Sequence, residues 1–399
     1  MTLSSRLARV SVPPITQAAR WVSDYDGRHG PAIDCSQAVP NHAPPAEFAE
    51  RLGQAGADLQ AARYGNILGD PALRSAYAAH VSQRYAATID AAQVAITSGC
   101  NQAFFAAMIA LAEPGEAVIL PTPWYFNHVM TLEMLGIEPR PFALDSAAGF
   151  LPDPGALDAA IDESVRAVVL VSPNNPTGAI YPPALLSEIL DLCVRRGVVL
   201  VLDETYRDFL PEGARPHSLF DRGEAEDHLV ALYSFSKSYA IPGHRVGAMI
   251  AGERTIAEIE KVIDCVQICA PRPAQAALPW AIEALGDFRA ASAREIETRA
   301  HAFRAAFAAL PGWEIRQLGA YFAYVRHPFG ESASEEIAAR LARELGIVVL
   351  PGSFFGPGQA SFLRIAFANV TVPLIAEIAR RLAIGLGGAA PSPTLEPQA

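Results

Sequence analysis

Short runs of valine, isoleucine, leucine and alanine, each stopped by a polar or turn-forming residue, recur through the middle of this chain. Val118-Ile119-Leu120 is closed by Pro121 and Pro123, Ala167 to Val171 by Ser172-Pro173, and Val198 to Leu202 by Asp203. Leu229 to Tyr233 is a fourth run and Gly247 to Ala251 a fifth. Strands with no polar face are buried on both sides, which is the state of a mostly parallel sheet covered by helices. The segments between the runs carry a helical period. At Ala184 to Arg196, Leu185, Leu186, Ile189, Leu190 and Cys193 fall on one side. Alternation of this kind predicts a large doubly wound α/β domain.

The alternation occupies residues 46–285. Ala290 to Leu310 then reads as one long helix. Beyond it the order becomes strand, helix, strand, strand, helix, at Tyr321–Arg326, Ala333–Leu345, Ile347–Leu350, Phe362–Phe367 and Val372–Ile384. This predicts a smaller α+β domain over 286–385. Residues 1–45, with Pro13, Pro14, Pro40, Pro44 and Pro45, are expected to form an arm and part of that smaller domain. Residues 386–399, rich in Gly and Pro, are expected to be a disordered tail.

Composition narrows the function classes. Net charge is −11, from 31 basic and 42 acidic residues, which argues against nucleic acid or an anionic membrane as partner. The longest apolar run, Ala103 to Ala112, is too short to span a bilayer. The N-terminus has Arg6 and Arg9 but no apolar block, unlike a secretory signal. Five cysteines in loose spacing predict reduced thiols and a cytoplasmic protein. Cys265 and Cys269, four apart, are expected to be packed core thiols on one helix face. No Cys/His cluster has metal-binding spacing.

Ligands gather at the carboxyl ends of strands in open α/β sheets, and here those ends carry chemistry. Ser234, Ser236 and Lys237 follow the fourth run, and Arg245 lies eight residues on. A lysine among small hydroxyls suits imine formation with an aldehyde, and the arginine suits a phosphate. Asp203 is either a helix cap or a carboxylate for a pyridinium nitrogen, with Tyr206 three residues later. Asn175, in Ser172-Pro173-Asn174-Asn175-Pro176-Thr177-Gly178, is either an ordinary turn residue or a fixed amide. Gly99-Cys100-Asn101 precedes an apolar helix, as a cap or as a phosphate cradle. Tyr125 closes a corner or stacks on a flat ring. Arg364, amid apolar residues, needs an anion, either a structural carboxylate or one on a substrate.

The ordered set Gly99-Cys100-Asn101, Tyr125, Asn175-Pro176, Asp203-x-x-Tyr206, Ser234-x-x-Lys237, Arg245 and Arg364 closely resembles the class I/II aminotransferases, fold-type I pyridoxal-phosphate enzymes. The likeness runs from about Ser36 to Arg380. It implies pyridoxal 5'-phosphate as cofactor, joined to Lys237 as a Schiff base, with Lys237 also moving the proton. It implies Asp203 at the ring nitrogen, Asn175 and Tyr206 at the ring oxygen, and Tyr125 on the ring face. Gly99, Cys100, Asn101, Ser234, Ser236 and Arg245 would hold the phosphate. Arg364, Asn175, Ala38 and Tyr321 would meet the substrate. Tyr64 would reach the partner subunit's phosphate in a homodimer with shared active sites. The implied reaction is ping-pong transfer of an amino group from an L-amino acid to a 2-oxo acid.

Three positions depart from the commoner pattern. Ala38 stands where relatives usually have glycine, His128 where tyrosine is frequent, and Asn101 where some aspartate-using relatives have lysine. Nothing matches the arginine that reads a side-chain carboxylate, and Arg272 is the nearest substitute. The expected donors are therefore neutral or aromatic amino acids. A lyase on the same scaffold, or a non-catalytic cofactor-binding regulator, are the alternative readings.

Overall fold

The computed structural model describes residues 4–330 and 332–386. Seven strands make one sheet in the order Val94–Thr97, Gly247–Ile250, Leu229–Ser234, Val199–Asp203, Val165–Val171, Ala117–Thr122, Glu138–Ala143. All neighbours are parallel except Gly247–Ile250, which is antiparallel to both strands beside it. Four of these strands are buried at every residue, and Val165–Val171 exposes only Arg166. Burial on both faces explains the unbroken apolar runs. Helix Pro183–Arg196 buries Leu186, Ile189, Leu190, Leu192 and Cys193, then stops at Gly197, whose φ of 66° suits a left-handed helix end.

A second, antiparallel sheet has the order Leu350–Pro351, Phe362–Ala366, Phe322–Arg326, Glu314–Gly319. The N-terminal segment is sewn to it: Ile33–Asp34 pairs in parallel with Ile347–Val348, and the amide of Ala366 donates to Cys35 O at 2.9 Å. Helix Gly286–Ala308 connects the two parts and packs on helix Val372–Ile384. Thus the α/β layering with a separate antiparallel sheet is as expected.

Several details differ from the sequence reading. The long helix starts at Gly286 and ends at Ala308. Strand Glu138–Ala143 is an edge, where Pro139 and Pro141 need not donate to a neighbour, and those prolines hid it. Strands Val94–Thr97 and Glu314–Gly319 also appear. The run 347–350 splits between the parallel pair and the antiparallel sheet. Helix Glu253–Gln267 ends before Cys269, so Cys265 and Cys269 do not share a helix face. Cys265 is exposed and Cys269 part-exposed, rather than packed in the core. The tail expectation for 387–399 lies outside the described residues. Among the described residues no helix is long and apolar enough to cross a membrane.

Candidate active site

The strand ends converge on a cavity of about 500 Å³. Its wall takes Cys100 and Asn101 after Val94–Thr97, Tyr125 after Ala117–Thr122, and Asn175 after Val165–Val171. Asp203 and Tyr206 come from the end of Val199–Asp203, and Ser234, Ser236 and Lys237 from the end of Leu229–Ser234. Arg245 precedes the antiparallel strand, which begins at this same end. Ala38 and Arg364 close the cavity from the side of the smaller sheet.

Asp203 is 4% exposed. Burial pushes its pKa up, but hydrogen bonding and charge from His128, with Thr205, outweigh that and leave it below the ordinary value. It is therefore ionised at neutral pH. Its Oδ2 stands 3.5 Å from His128 Nε2, and its Oδ1 accepts from the Thr205 amide at 2.9 Å. His128 is itself fixed by stacking on Phe104, with centroids 4.0 Å apart. The sequence marked His128 only as a departure. Its place one helical turn after Tyr125 was the available signal.

Lys237 donates to the Ala38 carbonyl. Burial, then the charges of Arg364 and Arg245, lower its pKa to about 8. The amine is thus much closer to its neutral, nucleophilic form at physiological pH than an ordinary lysine.

Arg364 is 2% exposed and has no carboxylate within ion-pair distance among the described residues. One guanidinium nitrogen donates to Asn175 Oδ1 at 3.0 Å, another to the Ser36 carbonyl, and Nε has no partner. Phe322 and Phe355 flank it, 5.0 and 5.2 Å from their ring centroids. Burial lowers its pKa to about 10, which still leaves it charged at neutral pH. Asn175 is held by a closed turn: Asn174 N donates to Ala179 O at 2.7 Å, and Gly178 N to Asn174 O at 2.7 Å.

The phosphate-type corner is shaped by glycine. Gly99 has φ of 84° and precedes helix Cys100–Leu111, whose first amides have no carbonyl one turn back. A Cβ at Gly99 would collide with the Arg245 guanidinium. One at Gly247 would lie 2.6 Å from the Gly99 carbonyl carbon. Arg245 adopts φ of 54°, donating to Pro242 O at 3.0 Å and Ser98 O at 3.4 Å. Ser234 Oγ accepts from Ser236 N at 3.2 Å. Free helix amides, hydroxyls and a guanidinium fit a phosphate monoester.

Three named residues lie elsewhere. Tyr64 is 77% exposed and outside this cavity. Tyr321 is 1% exposed and packs behind the wall, its ring centroid 5.3 Å from that of Tyr206. Arg272 points away: its Nε reaches Asp70 Oδ1 at 3.2 Å and its Nη1 donates to Gln60 O at 2.5 Å. The sequence reading missed Pro13, Pro14 and Ile15, which line the cavity from the N-terminal segment. Nothing in their local pattern predicts a contact so distant in sequence.

The sequence profile of the family described as aminotransferase class I and II matches residues 32–382, and the chain belongs to that family. An aromatic aminotransferase of Arabidopsis thaliana is 27% identical over 391 residues, 96% of each chain. An arginine–pyruvate transaminase of Pseudomonas aeruginosa is 31% identical over 330 residues, 80% of this chain and 81% of that one. The solved aspartate aminotransferase of Thermus thermophilus with maleate superposes with a TM-score of 0.87 at 25% identity, covering 96% of this chain and 99% of that one. The protein is an aminotransferase.

Proposed function

We propose that the cavity holds pyridoxal 5'-phosphate and moves an amino group from a neutral or aromatic L-amino acid to a 2-oxo acid. The observation that carries this reading is the buried Arg364 guanidinium, which lines the cavity with no counter-ion among the described residues, in the same cavity as an amine of lowered pKa. A buried cation without a partner is costly unless a ligand supplies the anion. A substrate α-carboxylate does so.

Gly99, Cys100, Asn101, Ser234, Ser236 and Arg245 would hold the cofactor phosphate, and Tyr125 would cover the ring. When bound, the cofactor supplies an aldehyde carbon and an electron-withdrawing ring. Asp203, held below the ordinary pKa by His128 and Thr205, would pair with the ring nitrogen and keep it protonated. Asn175 and Tyr206 would hold the ring oxygen. Lys237 would be the residue joined to that aldehyde carbon. As a free amine it would take the proton from the substrate Cα as general base and give it back as general acid. Arg364, braced by Asn175, would hold the substrate carboxylate in the same cavity as Lys237.

Donor choice rests on the rest of the wall. Pro13, Pro14, Ile15, Val39 and Phe126 are apolar, and Arg272 is engaged by Asp70. Those facts support a neutral or aromatic side chain over a dicarboxylate. The exposed Tyr64 supports a homodimer in which it reaches the partner's phosphate site. The five free cysteines support a cytoplasmic setting.

The test is the visible spectrum of the purified, cofactor-loaded protein during addition of single amino acids. We expect phenylalanine or leucine to bleach the yellow band and a 2-oxo acid to restore it. A band that responds to aspartate alone removes the donor reading. A band unchanged by every amino acid sinks the whole proposal.

A further inference from the structure

A second large cavity, of about 510 Å³, shares no lining residue with the first. Helix Gly286–Ala308 forms one wall, residues 208–213 beyond Tyr206 a second, and Leu318, Gly319 and Ala320 of the smaller sheet a third. It therefore lies between the two sheets' territories. Its apolar surface comes from Ile180, Phe209, Ile296 and Leu318.

The lining has a basic excess of one in a chain of net charge −11. It carries Arg84, Arg289, Arg294 and Arg304 with Asp208, Glu212 and Glu297. Asp208 is already engaged, accepting from the hydroxyls of Tyr233 and Ser238 at 2.6 Å each, and stands 3.9 Å from Arg289. Among the described residues the side chains of Arg84, Arg294 and Arg304 have no hydrogen bond or ion pair. The Nε atoms of Arg84 and Arg289 are buried without partners. His80 lies 3.2 Å from Arg289 Nη1, and burial, with Arg207 and Arg289, lowers its pKa to about 3. It is a neutral ring there and adds no charge of its own.

We propose that this cavity is a binding site for an amphipathic organic acid, with its anion toward Arg84 and Arg289 and its ring-sized apolar body against Phe209, Ile296 and Leu318. A cavity of this volume accepts a small organic molecule, and guanidiniums pair well with carboxylate or sulfonate groups. The site is wired to the first one. Phe209 lies 4.8 Å from the Tyr321 ring, which in turn packs on Tyr206. Beside it Gly178, in the turn that carries Asn175, meets Gly319 backbone to backbone. A ligand that shifts Phe209 or Gly319 reaches Tyr206 and Asn175 through packed groups.

The probe is anilinonaphthalene sulfonate, titrated into the cofactor-loaded enzyme and read by fluorescence. We expect one saturable transition per chain that excess L-phenylalanine does not displace. Ala293→Trp, which fills the cavity, and Arg84→Gln, which removes one charge, should each weaken binding at least about tenfold. Both should keep the unliganded activity. Bound probe should change the KM for the amino donor in the wild type and not in Ala293→Trp. Should Ala293→Trp fail to fold, Arg84→Gln alone decides. Equal affinity in wild type and the folded variants overturns the proposal, as does complete displacement by L-phenylalanine. Displacement by an equal concentration of inorganic phosphate also overturns it, because the apolar body would then have no role.

Discussion

The two cavities are nearly equal in volume, about 500 and 510 Å³, yet their polar groups are held in opposite ways. In the first, neighbours fix each group: Asp203, at a strand end, by His128 and Thr205, Lys237, just past one, by Ala38, and Arg364, inside strand Phe362–Ala366, by Asn175 and Ser36. In the second, the guanidiniums hang from helix faces, and three of the four have no side-chain partner among the described residues. Strand ends in one sheet share a register, so they give a preorganised constellation, which chemistry needs. Helix faces give charge and volume without fixed aim, which is enough for binding.

That contrast can be broken by substitution. Lys237→Ala should lower transamination by more than about a thousandfold, because it removes the group that moves the proton. Far-ultraviolet dichroism, melting temperature and sulfonate binding at the second cavity should stay as in the wild type. Near wild-type turnover would remove Lys237 from the mechanism. Arg364→Met should lower kcat/KM by about a hundredfold or more, mostly through KM, since it strips the substrate carboxylate of its buried partner. Steady-state kinetics with two donors of different side chain should show the same loss for both.

The pH response sharpens the same point. Lys237 titrates near 8 in the folded protein, because burial and two guanidiniums penalise its ammonium form. Recombination of cofactor-free protein with pyridoxal phosphate needs the neutral amine. Its rate should rise with pH up to about 8 and then level off, where an ordinary lysine would keep gaining to about 10.4. In Arg364→Met one penalty is gone, so the break should move to higher pH. An unmoved break would show that the Arg364 charge does not contribute to the value. The smallest effect is expected at Gly178→Ala. Its φ of 80° and the Gly319 backbone leave no room for a methyl, so stability should fall by about 1–3 kcal/mol in urea melts.

The sequence was most readable where a buried strand ends. Asp203, Asn175 and Ser234 each interrupt an apolar run, and Pro or Gly marks the turn beside them. Each alone also fits a cap or a turn, and it is their order along the chain that carried the family and the fold. What stayed hidden has a common cause, contact between segments far apart in sequence. The carbonyls of Ser36 and Ala38 are invisible in a side-chain pattern, yet they hold Arg364 and Lys237. Pro13 to Ile15 reach the cavity across the whole fold. Glu138–Ala143 was lost because its prolines are tolerated only at an edge. On helix Gly286–Ala308, Arg289, Arg294 and Arg304 look like any solvated face until the opposite walls are in place.

The parallel pair formed by Ile33–Asp34 and Ile347–Val348 has a consequence for timing. It ties the backbone around Ala38 to the smaller sheet, whereas Lys237 rides on the larger one. The bond between Lys237 and the Ala38 carbonyl thus acts as a clasp between two bodies. Arg364 and Asn175 make a second such link, so any separation of the two sheets at this point would break both bonds together and free the amine as it uncovers the guanidinium.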